Sequence, residues 1–206
     1  MNGTASTPSL AVGELLSEAW AVFKANAGLL VGAFAIFIVI SAGANGLTYK
    51  IGGIGGIILN GPMMLGYIAL VMGLLKKQPV EIGTLFSGFQ RFLPAFLANL
   101  LMSIFTGIGL ILCVIPGLFV SMIYLLTYFY MLEKNLDFWP SMEASRTKIM
   151  GNLGSWIVLW LVLIAINIVG LIPCGLGLLV TGPLSLLTLG LAYQRVEGGA
   201  TQTSAV

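Results

Sequence analysis

The sequence predicts an all-α integral membrane protein with six transmembrane helices arranged as three helical hairpins, each preceded by an amphipathic interfacial helix on the cytoplasmic side. Three observations predict it. Four stretches carry no charge at all: Ala25–Tyr49, Ile51–Leu75, Phe92–Leu132 and Ile149–Gln194. Hydrophobic residues make up 58% of the 206 residues and charged residues only 8%, where a soluble domain carries about 25% charged residues. A spanning helix needs about 20 apolar residues to cross a hydrocarbon core about 30 Å thick. Each of the first two stretches therefore holds one crossing and each of the last two holds two.

The elements follow in order. The chain opens without a basic n-region, and Glu14, Glu18 and Lys24 precede the first apolar run, so a cleavable signal peptide is not expected. The first amphipathic segment sets Val12, Leu15, Leu16, Ala19 and Phe23 on one helical face. Spans Asn26–Leu47 and Ile54–Leu75 come next. The same spacing returns at Ile82, Leu85, Phe86, Phe89 and Leu93, ahead of spans Phe92–Leu110 and Cys113–Leu132. A third amphipathic helix begins around Phe138-Trp139-Pro140, where proline in a first turn suits a helix start, and its drier face runs through Met142, Ser145 and Ile149. Spans Leu153–Leu171 and Leu176–Tyr193 complete the set. The units, about 9–75, 79–132 and 136–194, read as an internal repeat within one membrane domain, 1–206. Residues 195–206 read as a disordered cytoplasmic tail.

Charge sets the orientation. With the amphipathic segments on one side, Lys24, Lys76, Lys77, Arg91, Lys134, Arg146, Lys148 and Arg195 lie there too, against Lys50 alone on the other. The positive-inside rule then places both termini in the cytoplasm, with the chain in the cytoplasmic (inner) membrane. Trp20, Tyr128, Tyr130, Trp139, Trp156 and Trp160 fall at the level of an inner aromatic belt.

The same residues exclude function classes. The chain has no histidine, and none of its seven carboxylates falls inside a span. The usual general base and the commonest metal ligand are missing, so an enzyme is not expected, and neither is a cofactor or metal. A net charge of +2 from scattered residues gives no nucleic-acid surface. Inside the spans Asn60, Asn99, Asn167 and several hydroxyls read as interhelical hydrogen-bonding groups or as a polar path. Cys113 and Cys174 read either as small buried hydrophobes or as a disulfide on the outer face.

Two groups of candidate site residues follow. Each even-numbered span has a proline beside a glycine: Gly61-Pro62, Pro116-Gly117 and Gly182-Pro183. Proline removes a donor and clashes with the preceding turn, so each helix is expected to bend or break at Pro62, Pro116 with Gly117, and Pro183, positions that could line a path. Gly28, Gly32, Gly52 and Gly56 suggest tight helix packing instead. On the cytoplasmic face Lys76, Lys77, Arg146 and Lys148 are candidate contacts for anionic headgroups. Glu18 and Glu143, at matching repeat positions, are candidate headgroup or substrate carboxylates, or residues favoured near helix starts.

The C-terminal half carries Ile115-Pro116-Gly117, the acidic Glu133 to Asp137, Met142-Glu143-Ala144-Ser145 with Gly151-Asn152, and Gly182-Pro183 to Ala192-Tyr193. In these residues the chain from Ile115 onward resembles a group of uncharacterised bacterial membrane proteins related to the membrane domain of some glycerophosphoryl diester phosphodiesterases. The resemblance implies a six-helix membrane module without the phosphodiesterase domain. The function expected is a non-enzymatic module that binds membrane lipids, other membrane proteins or a second copy of itself. The alternative is a small transporter or flippase for a neutral or lipidic substrate.

Overall fold

The computed structural model describes residues 10–51, 54–112, 114–173 and 175–203. Cys113 and Cys174, and with them the question of a disulfide, lie outside the described residues. The elements in chain order are α1 Val12–Ala25, α2 Ala27–Leu47, α3 Ile54–Leu75, a 3₁₀ segment Ile82–Arg91, α4 Phe92–Leu112, α5 Val114–Ile123, α6 Thr127–Glu133, α7 Phe138–Gly151, α8 Leu153–Leu171 and α9 Leu178–Thr203. Among the described residues all regular structure is helical.

Among the described residues, five stretches are long and apolar enough to cross a membrane: Ala27–Leu47, Gly55–Leu75, Ile82–Leu112, Val114–Glu133 and Leu153–Leu171. The expected sixth span is helical but is not among them. Thr181, Gly182, Pro183, Ser185, Thr188 and Gly190 dilute its apolar content, and the reason is its position. Leu187 to Tyr193 are all buried, so α9 packs on protein there rather than lipid. The helix also runs on to Thr203, where a disordered tail from residue 195 is expected from sequence. Arg195 and Glu197 hold that extension through ion pairs.

α3 is the central helix. Burial covers 61% of its apolar stretch, against 11% for α2 and 22% for α8. It packs against α2, α4, α6, α9 and the 3₁₀ segment. Both helices that carry an internal proline, α3 with Pro62 and α9 with Pro183, stay continuous through it. Of the expected bend or break, neither proline therefore shows a break. Both are buried, and groups freed by a proline facing protein can be satisfied there, as they could not be in lipid. Pro116 sits in the first turn of α5, where its missing N–H costs little.

The peripheral helices turn large apolar side chains outward, among them Val39, Ile111, Ile115 and Ile168. In water such a surface would drive aggregation; in hydrocarbon it needs no cover. Glycines set the close crossings at the apolar end, where α4 meets α5 through Gly109 and Gly117 and Gly170 meets Gly177 at the start of α9. A Cβ at Gly28 or Gly32 meets nothing, so this pair is not the tight contact its spacing suggests. Gly56 does pack closely, against Asn45, and Gly52 lies outside the described residues.

The amphipathic segments are built into the charged end. α1 buries Leu15, Ala19 and Phe23 against the bundle and packs along α9, so the first and last helices meet. The second segment is a tight 3₁₀ helix, and its Leu85 carbonyl and Gly88 backbone press on Gly66 and Pro62 of α3. α7 buries Ser141, Met142, Ser145 and Ile149, the face that the sequence marks as dry. Of the aromatic belt, Trp20 and Trp139 are exposed, whereas Tyr128, Tyr130 and Trp156 point into the core.

Candidate functional site: an interrupted helix beside an apolar cavity

The fourth predicted span breaks where no proline or glycine stands. α5 ends at Ile123 and α6 starts at Thr127, and from Leu118 to Asn135 the sequence contains neither residue. Leu125 N–H and Thr127 N–H reach back only three residues, to Met122 O (3.2 Å) and Tyr124 O (3.1 Å). The backbone groups left over are taken by one side chain. Ser145 Oγ, wholly buried on α7, accepts from Leu126 N–H (3.1 Å) and donates to Ile123 O (2.8 Å). A three-residue interruption thus becomes tolerable because a serine on a neighbouring helix substitutes for a turn of helix.

Beside the break is a cavity of about 330 Å³, within the range of about 300–1,000 Å³ usual for small-molecule sites. Met64 and Ile68 of α3, Met102 of α4, Leu125 of the break, and Leu186 and Leu189 of α9 form its apolar wall. Ser103 and Thr106 of α4, Ser121 of α5, Tyr124 of the break and Tyr128 of α6 add hydroxyls. The Phe105 and Tyr124 rings lie 6.2 Å apart, bracing the break against α4. Tyr128 Oη donates to Asn99 Oδ1 (3.3 Å), and Asn99 Nδ2 donates to Ile57 O (2.9 Å), tying α6, α4 and α3 together. Elsewhere Asn60 accepts from Ser41, and Asn167 joins α8 to Ser185 and Thr181 of α9. The three asparagines therefore serve as interhelical links.

The charged end is largely neutralised internally. Lys76 pairs with Glu133 (2.5 Å), Lys134 and Lys148 with Glu197 (3.0 and 3.1 Å), and Arg195 with Glu14 and Glu18 (3.2 and 3.0 Å). Arg146 pairs with Glu143 on its own helix. Arg91 donates to the carbonyls of Met131 and Leu136, closing the end of α6. Burial pushes the Glu197 carboxyl up, but hydrogen bonds from Tyr130, Lys134 and Lys148 outweigh it and hold the group below its usual range. The Arg146 hydrogen bond likewise lowers Glu143. Of the candidate headgroup residues, Lys76, Arg146, Lys148, Glu18 and Glu143 are thus engaged within the chain. Lys77 stands apart, at φ 56° where α3 ends. Glu18 and Glu143 are not brought together, since each serves a different arginine.

None of Pro62, Pro116 and Pro183 lines this cavity. Pro62 faces Gly88, Pro183 is buried in α9, and Pro116 is exposed with Gly117 against Leu110. The residues that form the site are Ser145 and the Tyr124–Leu126 turn. The sequence signal for Ser145 was its place on the dry face of α7, a polar group where the neighbouring positions are apolar.

The chain is similar to an uncharacterised protein of Mycobacterium bovis and to two uncharacterised proteins of Mycobacterium tuberculosis strains. Each is 28% identical over 151 residues, which cover 66% of this chain and 46% of the relative. The chain thus spans about half the length of the curated relatives it matches. No family model matches it, and neither does any solved structure.

Proposed function

We propose that this chain is a non-enzymatic, multi-pass membrane module that holds a lipidic molecule in the cavity at the interrupted helix. The observation that carries the reading is the cavity itself: largely apolar, walled by α3, α4 and α9, and set midway along those helices beside a break held open by Ser145. Interrupted helices at such depth line binding sites because irregular backbone is tolerated in a membrane only beside protein or a cavity. In this reading the bundle makes six crossings in three hairpins, with α9 as the sixth. Contacts of α2 with α3, α4 with α5 and α8 with α9, and the pairing of Arg195 with Glu14 and Glu18, favour an even number. The excess of basic residues supports a cytoplasmic position for that end, in a protein of the inner membrane. Lipids are the expected partners, with other membrane proteins or a second copy on the exposed apolar faces. We read the chain as one of the uncharacterised bacterial membrane proteins related to the membrane domain of some glycerophosphoryl diester phosphodiesterases, which would be a module of this kind.

The break also favours a second reading, a small transporter or flippase for a neutral or lipidic substrate. One reconstitution separates the two. In liposomes containing a photoreactive lipid, the module should give saturable crosslinks on peptides containing Met64, Met102 or Tyr124, without protein-dependent movement of a fluorescent lipid between leaflets. Crosslinks scattered evenly over α2, α4 and α8 would refute the cavity reading; saturable lipid movement would favour the second.

A further inference from the structure

The cavity discriminates by the kind of polar atom it offers. No charged side chain lines it; Arg146, within electrostatic reach of the lining Tyr124, is taken up by Glu143 on its own helix, and Lys76 and Lys148 are paired at the charged end. A phosphodiester placed here would leave water without a free counter-charge to meet it, which is unfavourable. The hydroxyls tell the complementary half. Tyr128 donates to Asn99, and Ser121 donates to Leu118 O (2.7 Å), so both have committed their protons. Among the described residues, the hydroxyls of Ser103, Thr106 and Tyr124 have no hydrogen-bond partner within the chain. Ser103 and Thr106 are three residues apart on α4 and so share one face. Tyr124 stands opposite, at the break, with its ring against Phe105. Three unpartnered O–H donors therefore line the cavity, Ser103 at an exposed position and Thr106 and Tyr124 half-buried, beside an apolar wall of Met64, Met102, Leu186 and Leu189. Unpaired donors at membrane depth are costly until an acceptor reaches them. The unbranched methionines adapt readily to an irregular chain.

Building on the lipid-binding reading above, we propose that the molecule taken here is an uncharged lipid whose polar part carries ester or alcohol oxygens, of the diacylglycerol type. The Ser103, Thr106 and Tyr124 hydroxyls donate to those oxygens, while the chains lie along the methionine and leucine wall. Phospholipids are excluded by their charge rather than by their size.

The test uses the full chain in phosphatidylcholine nanodiscs with two photoreactive probes of identical chains, a diacylglycerol and a phosphatidylcholine. The diacylglycerol should label peptides containing Ser103 and Tyr124 saturably and be displaced by unlabelled diacylglycerol but not by added phosphatidylcholine. The variant Thr106→Val with Tyr124→Phe, which keeps shape and removes two donors, should weaken that labelling by about tenfold to a hundredfold. Should that variant fold poorly, Tyr124→Phe alone and the wild-type competition profile decide. Equal labelling by both probes, or no effect of removing the donors, overturns the assignment of ligand class while leaving a lipid site in place. No saturable labelling by either probe overturns the lipid-binding reading and this inference with it.

Discussion

Replacing Ser145 with alanine removes a single oxygen and strands two backbone groups. Leu126 N–H loses its acceptor and Ile123 O loses its donor, both at a buried position. Each orphaned group costs about 1–3 kcal/mol, so the variant should lose about 2–6 kcal/mol. Part of that is recoverable, because nothing in the local sequence forbids a continuous helix: Leu126 N–H could reach Met122 O if the turn closed. The loss should therefore fall toward the lower end of the range, and amide exchange at Leu126 should change at the same time. Ser145→Thr, which retains the hydroxyl, should lie much closer to wild type. Reversible unfolding in mixed detergent micelles measures the first quantity and hydrogen exchange the second. If Ser145→Ala lies within about 0.5 kcal/mol of wild type, as surface substitutions do, and exchange at Leu126 is unchanged, the serine does not hold the break.

Three further outcomes follow from the same packing. Gly66→Ala and Gly88→Ala push a methyl into the backbone of the opposing element and should each destabilise by about 1–3 kcal/mol; Gly154→Ala on α8 meets nothing and should be neutral or gain up to about 1 kcal/mol from helix propensity. Glu197 has a native acidity held below the usual carboxyl range, so its stabilisation is complete at neutral pH and is lost as pH falls through the ordinary value toward the native one. Glu197→Gln should flatten that acid limb in a pH series of unfolding curves while lowering neutral stability only modestly, since partly exposed ion pairs contribute about 0.2–1 kcal/mol each. Asn167→Leu should loosen α8 from α9 by about 1–2 kcal/mol, read by the same unfolding assay.

The spans were legible because charge bounds them. Lys76 ends α3 and Arg91 precedes α4, and the expected ends Ile54 to Leu75 and Leu153 to Leu171 coincide with the helices. What escaped the sequence depends on partners distant in the chain. Nothing local marks Tyr124–Leu126 as a turn; the interruption exists because Ser145, about 20 residues further on, supplies the missing bonds. The prolines illustrate the converse: Pro62 and Pro183 are buried within the bundle, and α3 and α9 continue through them. The headgroup residues were identified by charge alone, which cannot tell a free lysine from one paired across the bundle, as Lys148 is with Glu197.

Depth in the bilayer tests the whole account most directly. Spin labels on Met102→Cys, beside the cavity, and on Trp139→Cys, on α7, in a background carrying Cys113→Ser and Cys174→Ser, can be compared by their collisions with oxygen and with a water-soluble nickel complex. The label at position 102 should report the bilayer centre, dominated by oxygen, and the label at 139 the headgroup level. Comparable access of nickel to both positions would contradict a lipidic cavity at the heart of a membrane bundle.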